Sequence, residues 1–142
     1  MPMQPKSELT VITKANDLCA YIMTVTEKSP KRFRFTLTGR MQNLTLDVIE
    51  NLLRANEVFV RCRDELCSSE MPQSPVTADA YQKRLDFQHS ALTSLKVLGV
   101  IAQIAREQGC ILPKQYEQIT KQIADCQNLL GAWINSDKKR YK

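Results

Sequence analysis

The sequence predicts an all-α protein, an up-down-up-down four-helix bundle formed by a single domain over residues 1–142. Apolar residues recur three and four positions apart in four long segments, which is the spacing of one helix face. With 43% hydrophobic and 25% charged residues, 142 residues can bury one core, and only 4 Gly and 6 Pro argue against a turn-rich β-sandwich. Comparable helix lengths and short connections favour antiparallel neighbours.

The first two helices are expected over residues 8–28 and 37–67. In the first, Val11, Leu18 and Ile22 keep to one face, and Ser7 is a plausible N-cap. The second has a longer apolar stripe, and Thr36 or Thr38 can cap its start. Its stripe comprises Leu37, Met41, Leu44, Val48, Leu52, Ala55, Phe59, Cys62 and Leu66.

A loop rich in Ser and Pro follows over residues 68–76, and the third helix is expected over 77–108 with Thr77 as its N-cap. Gly109 ends it at the position where a left-handed backbone is needed. The fourth helix is expected over 113–136, since Pro113 suits the first position of a helix. Residues 137–142 then form a basic C-terminal tail.

The second and third predicted helices have more apolar residues than one core stripe requires. The additional residues lie on other faces of these helices, and a helix that is apolar on several sides must be covered on several sides. We therefore expect a homo-oligomer; the alternative is an uneven bundle in which one helix lies centrally, covered by loops. The expected interface residues are Leu46, Ile49, Leu53, Val60, Val97, Val100 and Ile104.

The net charge of +5 comes from two clusters of cations, one in residues 28–40 and the other in the tail. Phe33 and Phe35 alternate with arginines in the first cluster, so a base could stack on a ring while guanidinium groups hold phosphates. This favours nucleic-acid binding; the alternatives are that the charges serve solubility and that Phe33 or Phe35 closes the bundle end. The candidate binding residues are Lys31, Arg32, Arg34, Arg40, Lys138, Lys139 and Arg140.

Nothing in the sequence indicates an enzyme, a cofactor or a metal site. His89 is the sole histidine, has no nucleophile motif beside it, and is expected on a helix surface or in an interface. The cysteines are expected to be reduced thiols, most of them in apolar stripes, and Cys62 and Cys67 lack the second pair that zinc requires. The polar first residues and the lack of a long apolar segment predict a soluble, cytoplasmic protein.

Two segments carry a resemblance to a known family. One is Pro30-Lys31-Arg32-Phe33-Arg34-Phe35-Thr36-Leu37, followed by Gly39-Arg40 and a helix with Glu50-Asn51-Leu52-Leu53 and Ala55-Asn56. The other is Asn128-Leu129-Leu130-Gly131-Ala132-Trp133-Ile134. With the four-helix layout, they make residues 8–136 resemble the accessory variability determinant (Avd) proteins of diversity-generating retroelements. More distantly, the chain is similar to the four-helix proteins encoded in intervening sequences of bacterial 23S ribosomal RNA genes.

The resemblance implies a non-enzymatic function. Avd-type proteins form a barrel-shaped homopentamer that binds the reverse transcriptase of the element and its template RNA, and supports mutagenic cDNA synthesis. Lys31, Arg32, Arg34 and Arg40 match the basic features of the family, and Gly131 and Trp133 match a packing motif in which glycine permits close helix approach. The alternative is an oligomeric adaptor of the 23S intervening-sequence type, without a reverse-transcriptase partner.

Overall fold

The computed structural model describes residues 6–58, 60 and 75–141, and its regular structure is entirely helical. Four α-helices lie in these described residues: α1 (Lys6–Thr26), α2 (Gly39–Glu57), α3 (Pro75–Glu107) and α4 (Pro113–Tyr141). A 3-10 turn (Lys31–Phe33) and a π-helical turn (Arg34–Thr38) lead into α2. The predicted all-α, four-helix fold is confirmed. No helix in the described ranges is long and apolar enough to span a membrane.

The helices pack around one apolar core. The α1 helix contacts α2 and α4, and α3 contacts the same two helices from the other side. One stripe from each helix fills the interior, with the spacing that the sequence predicts. The largest fully buried apolar side chains are Leu18, Ile22, Met41, Leu52, Leu95, Leu98, Ile119, Leu130 and Trp133.

The second helix is shorter than predicted, because α2 ends at Glu57 and not at residue 67. Val58 has an extended backbone (φ −73°, ψ 114°), and its N–H donates to the Ala55 carbonyl. The Arg84 side chain of α3 donates to the carbonyls of Ala55 and Val58, where α2 ends. The predicted helix beyond Val60 and the predicted loop up to residue 74 lie outside the described residues.

The fourth helix is longer than predicted, since α4 continues through the expected basic tail to Tyr141. The reason is Asp137, which is completely buried and faces the bundle. Arg84 Nε donates to Asp137 Oδ2 at 2.6 Å and its terminal nitrogen donates to Oδ1 at 3.2 Å, so the pair is bidentate. Gln88 Nε2 also donates to Asp137 Oδ2, at 2.8 Å.

Aromatic rings enclose this buried ion pair. The Arg84 guanidinium lies 5.1 Å from the ring centre of Trp133 and 5.7 Å from that of Tyr141. The Tyr81 ring lies 6.0 Å from the Tyr141 ring. Burial, and secondarily the negative charge of Asp137, raises the pKa of the Tyr81 phenol. The end of α2, the N-terminal half of α3 and the end of α4 are therefore joined at one end of the bundle.

The connections at the other end agree with the sequence in two positions and differ in one. Gly109 has a left-handed φ of 77° after α3, and Pro113 is the first residue of α4, both as predicted. The predicted capping of the second helix by Thr36 or Thr38 is wrong. The Thr38 side chain forms no capping hydrogen bond, because its hydroxyl contacts Cys110 Sγ at 3.6 Å, and the Thr36 hydroxyl donates to the Phe33 carbonyl.

We expect Arg84→Leu to lower the free energy of unfolding by about 3–5 kcal/mol, because it leaves the buried Asp137 carboxylate without its cationic partner. Replacing both residues, as Arg84→Leu with Asp137→Leu, should lose much less. The control is Arg54→Ala, which removes a pair with Glu50 whose side chains are both more than half exposed, and should cost under about 1 kcal/mol. Urea unfolding measures all three; equal losses for Arg84→Leu and Arg54→Ala would contradict the prediction.

Candidate nucleic-acid interface

The basic segment, residues 28–40, lies at the end of the bundle opposite the Arg84–Asp137 pair. Ser29 Oγ donates to the Cys110 carbonyl at 2.9 Å, and Thr38 contacts the Cys110 thiol. These two contacts join the α1–α2 connection to the α3–α4 connection. We call this part of the molecule the basic end.

The basic segment has residues that face the core and residues that face the solvent. Phe33 and Leu37 are half-buried and pack against the core, whereas the Phe35 side chain between them is 91% exposed. The two aromatic residues therefore have different environments. Phe33 packs at the bundle end, as one of the alternatives proposed, and Phe35 presents its ring to solvent, as base stacking requires.

The π-helical turn depends on the absence of a side chain at Gly39. The Gly39 N–H donates to the Arg34 carbonyl, which closes the wide turn. A Cβ atom at Gly39 would lie only 2.8 Å from the same carbonyl oxygen. The turn that carries Arg34 and Phe35 thus requires glycine at this position.

The cations of the basic segment are exposed and have no carboxylate partners among the described residues. The Arg32 guanidinium lies 4.7 Å from the ring centre of Phe33, which fixes its plane against the bundle end. Cations without carboxylate partners can bind phosphate groups without first breaking ion pairs. They are Lys28, Lys31, Arg32, Arg34 and Arg40.

An open depression of about 380 Å³ lies within the basic segment and reaches α3. Its lining combines two guanidinium groups, an exposed ring, a hydroxyl and a carboxamide with two aliphatic side chains. Such a combination can bind an anion and a flat ring together. The lining residues are Arg34, Phe35, Thr36, Leu37, Gly39, Arg40, Asn43 and Ile101.

Two further cations of the basic end were missed by the sequence analysis. Arg106 in the last turn of α3 and Lys114 in the first turn of α4 are exposed and lie on either side of Cys110. The Arg106 guanidinium lies 5.4 Å from the ring centre of Tyr116. Both cations are more than 60 residues from the basic segment in the sequence. They could be assigned to the basic end only once the contact between the α1–α2 and α3–α4 connections was known.

The tail cations do not join this surface. Lys138, Lys139 and Arg140 lie in the last turn of α4, next to Asp137 and at the end that carries the buried ion pair. At 1.5 Å per residue, the 29 residues of α4 separate the two ends by about 43 Å. The predicted binding residues therefore form two separate groups, one at each end.

The predicted interface residues divide between two surfaces of the bundle. Leu46 and Leu53, at 47% and 45% exposed, lie on the side of α2 next to α1, because Gln42 one turn earlier donates to Thr26 Oγ1 of α1. Val100 and Ile104, at 57% and 39% exposed, lie on the outer side of α3. We call these surfaces the α1–α2 face and the α3 face.

The remaining three predicted interface residues are more buried. Ile49 and Val97 are half-buried and pack against the core beside the two faces. Val60 is only 6% exposed, so its assignment to an outer surface is wrong. It follows the extended residue Val58 and no longer belongs to the helical pattern from which its direction was inferred.

The structure places two of the residues considered for catalysis or metal binding, His89 on α3 and Cys126 on α4. His89 is exposed on α3, as expected. Cys126 is buried, and burial, with a smaller effect from Asp125, raises the pKa of its thiol to about 11, so it is protonated at neutral pH. No group of three potential metal ligands occurs within residues 6–58 and 75–141. Cys62 and Cys67 lie outside the described residues.

No protein-family model matches the chain, and no curated protein matches it.

We expect Gly39→Ala to lower the free energy of unfolding by about 1–3 kcal/mol, because the new methyl group would press against the backbone carbonyl of Arg34. Gly99 and Gly131 provide matched controls within α3 and α4, since a Cβ at either would meet nothing within 4 Å. Because a Cβ at Gly131 would have open space around it, the expectation that this glycine permits close helix approach is wrong.

Alanine at either control position should raise the free energy of unfolding by about 0.5–1 kcal/mol, because glycine is a poor helix former. Urea unfolding of the three single variants measures these changes. A stabilised Gly39→Ala variant would contradict the requirement for glycine in the π-helical turn.

Proposed function

We propose that this protein is a non-enzymatic, oligomeric accessory subunit that binds the template RNA and the reverse transcriptase of a diversity-generating retroelement. The observation that carries the proposal is the basic end, where cations from both connections gather without carboxylate partners in the described residues. The reverse-transcriptase partner comes from the resemblance of residues 8–136 to Avd-type proteins.

RNA binding is supported by the position and the chemistry of the basic end. Its cations are displayed on a turn and on helix ends, where a phosphate backbone can approach without meeting the sides of the helices. Four phosphate contacts to single-stranded RNA correspond to a slope of about −3 in a plot of log affinity against log salt concentration. In the proposed function, the polyanion bound by the basic end is the template RNA.

Assembly is supported by the two apolar faces, which lie on different helices. When one face is complementary to a different face and not to itself, copies join head to tail. Such contacts form a ring when the rotation from each copy to the next adds up to a full turn. We propose that the α1–α2 face of one copy packs on the α3 face of the next. The contacts at both bundle ends also support an up-down-up-down order of the helices.

The resemblance to Avd-type proteins implies a pentamer for this ring. In every copy the basic end then lies on the same side of the ring, so that a single RNA can contact several copies. The opposite side carries Lys138, Lys139 and Arg140. These tail cations are the weaker candidates for RNA binding.

The second candidate is an oligomeric adaptor of the 23S intervening-sequence type. It shares the bundle and the assembly faces but has no reverse-transcriptase partner. Co-purification distinguishes the two, when the chain is expressed with the reverse transcriptase encoded beside it, with and without RNA.

We expect the double variant Arg34→Glu with Arg40→Glu to weaken RNA binding at ~150 mM salt by roughly tenfold or more, and to make the salt slope shallower. Both side chains are exposed, so helicity should not change. Fluorescence anisotropy with a labelled RNA measures the affinity, and circular dichroism checks the fold.

The matched control is Lys138→Glu with Lys139→Glu, which changes the net charge by the same amount at the other end. It should have the smaller effect. Equal losses for the two pairs would indicate that total charge, and not the basic end, determines RNA binding, and an unchanged affinity of the first pair would reject these sites.

Head-to-tail assembly predicts a specific result for mixtures. Leu46→Glu with Leu53→Glu disables the α1–α2 face, and Val100→Glu with Ile104→Glu disables the α3 face. Each variant alone should be a monomer of 16.2 kDa, whereas an equal mixture should form a heterodimer, because one undamaged face of each kind remains.

Light scattering after size-exclusion chromatography measures these masses. The exposed position Lys121 provides a control, since Lys121→Glu should leave the wild-type assembly intact. A face that pairs with itself would give homodimers of one variant, and a monomeric wild-type protein would remove the assembly proposal altogether.

A further inference from the structure

Phe35 combines an exposed ring with a held backbone. It is the most exposed large apolar side chain in the described residues, and its ring has no aromatic or cationic partner among them. The backbone on both sides is anchored, because Phe33 and Leu37 pack against the core and Gly39 closes the π-helical turn. The ring is therefore presented to solvent by a turn that is held in place.

The surroundings of Phe35 match the chemistry of one nucleotide. Arg34 and Arg40 line the same depression and can pair with phosphate oxygens. Thr36 and Asn43 add a hydroxyl and a carboxamide that can bond to a sugar or to a base edge. The volume of about 380 Å³ lies at the lower end of the range for small-ligand sites, so the depression has room for one nucleotide and not for a duplex.

We propose that this depression binds one unpaired nucleotide of single-stranded RNA, with the base stacked on the Phe35 ring and the flanking phosphates paired with Arg34 and Arg40. The inference rests on the proposed RNA-binding function and makes it more specific, because it sets the strand state of the RNA. Double-stranded RNA keeps its bases stacked inside the helix, and its major groove is too deep and narrow for side chains to read. Phe35 can therefore contact a base only where the RNA is unpaired.

Base stacking also determines how far the site can distinguish one RNA sequence from another. Every base has a face that can stack on an aromatic ring, so the site tolerates different bases. The basic end then recognises unpaired RNA by its flexibility and not by a sequence motif. The cations outside the depression contribute to the binding of any RNA, paired or unpaired, since phosphate contacts do not depend on strand state.

The test uses the full chain, a labelled 12-nucleotide RNA of mixed sequence, and the same strand annealed to its complement. Phe35→Ala should weaken binding of the single strand roughly 5- to 150-fold, which corresponds to the loss of one stacked base. Binding of the duplex should change less than twofold. Phe35→Trp should retain single-strand affinity, because an indole also stacks.

Phe35→Trp provides a direct signal as well. Trp133 is the only tryptophan and is fully buried, so the introduced indole is the one that RNA can reach. Its emission should be quenched by the single strand and not by the duplex. The matched control is Leu112→Ala, which removes an exposed apolar side chain from the α3–α4 connection at the same end and should change neither affinity.

Three results would overturn the inference, and they can be told apart. If Phe35→Ala leaves single-strand binding unchanged while Arg34→Glu with Arg40→Glu weakens it, RNA binding stands but base stacking is wrong. If Phe35→Ala impairs only the capture of the reverse transcriptase, the ring is a protein contact. If the wild-type chain binds neither RNA at 50 mM salt, the inference and the RNA-binding part of the proposed function both fail.

Discussion

The ion pair between Arg84 and Asp137 is the constraint from which the limits of the bundle follow. A buried carboxylate requires a partner, and Arg84 both pairs with it and binds the carbonyls at the end of α2. This one side chain thus ends α2 at Glu57 and requires α4 to continue far enough to bring Asp137 into the bundle. The polar contacts also have strict geometry, which an apolar core alone lacks. They fix the relative positions of α2, α3 and α4 at this end.

The two ends of the bundle differ in the environment of their positive charges. At one end, Arg84 is 5% exposed, and its guanidinium has a carboxylate, two carbonyls and two aromatic rings around it. At the other end, the basic segment presents its cations to solvent without carboxylate partners among the described residues. The exposed cations contribute nothing comparable to the packing of the helices, which is why we propose that they bind a polyanion.

Periodicity predicted the core because burial of one helix face repeats along the chain. Leu18, Leu52, Leu95 and Leu130 lie in the interior where their spacing places them, and Gly109 and Pro113 mark helix ends through local backbone preferences. Arg84 and Asp137 could not be recognised in this way, since their burial depends on a contact across 53 residues. The end of α2 was missed for the same reason, because the apolar pattern continues beyond Glu57 while a side chain from α3 takes up the carbonyls. The depression was likewise predicted only in part: the sequence identified Arg34, Phe35 and Arg40, but Asn43 and Ile101 reach it through the fold.

Assembly lowers the RNA affinity that the basic end of each single copy needs. One nucleotide site together with a few phosphate contacts binds weakly at physiological salt, where the phosphate contacts are partly screened. In the proposed ring, each copy presents this site on the same side, and the RNA that links two occupied sites makes the second binding event intramolecular. The effective concentration is then in the millimolar range for a short flexible linker, so affinity rises by about 10²–10⁴ without a new contact. In this proposal the apolar faces and the basic end depend on each other: the faces would assemble the ring, and the ring would make weak, sequence-tolerant sites sufficient to hold a template. A monomer with the same basic end would release RNA that the assembly retains.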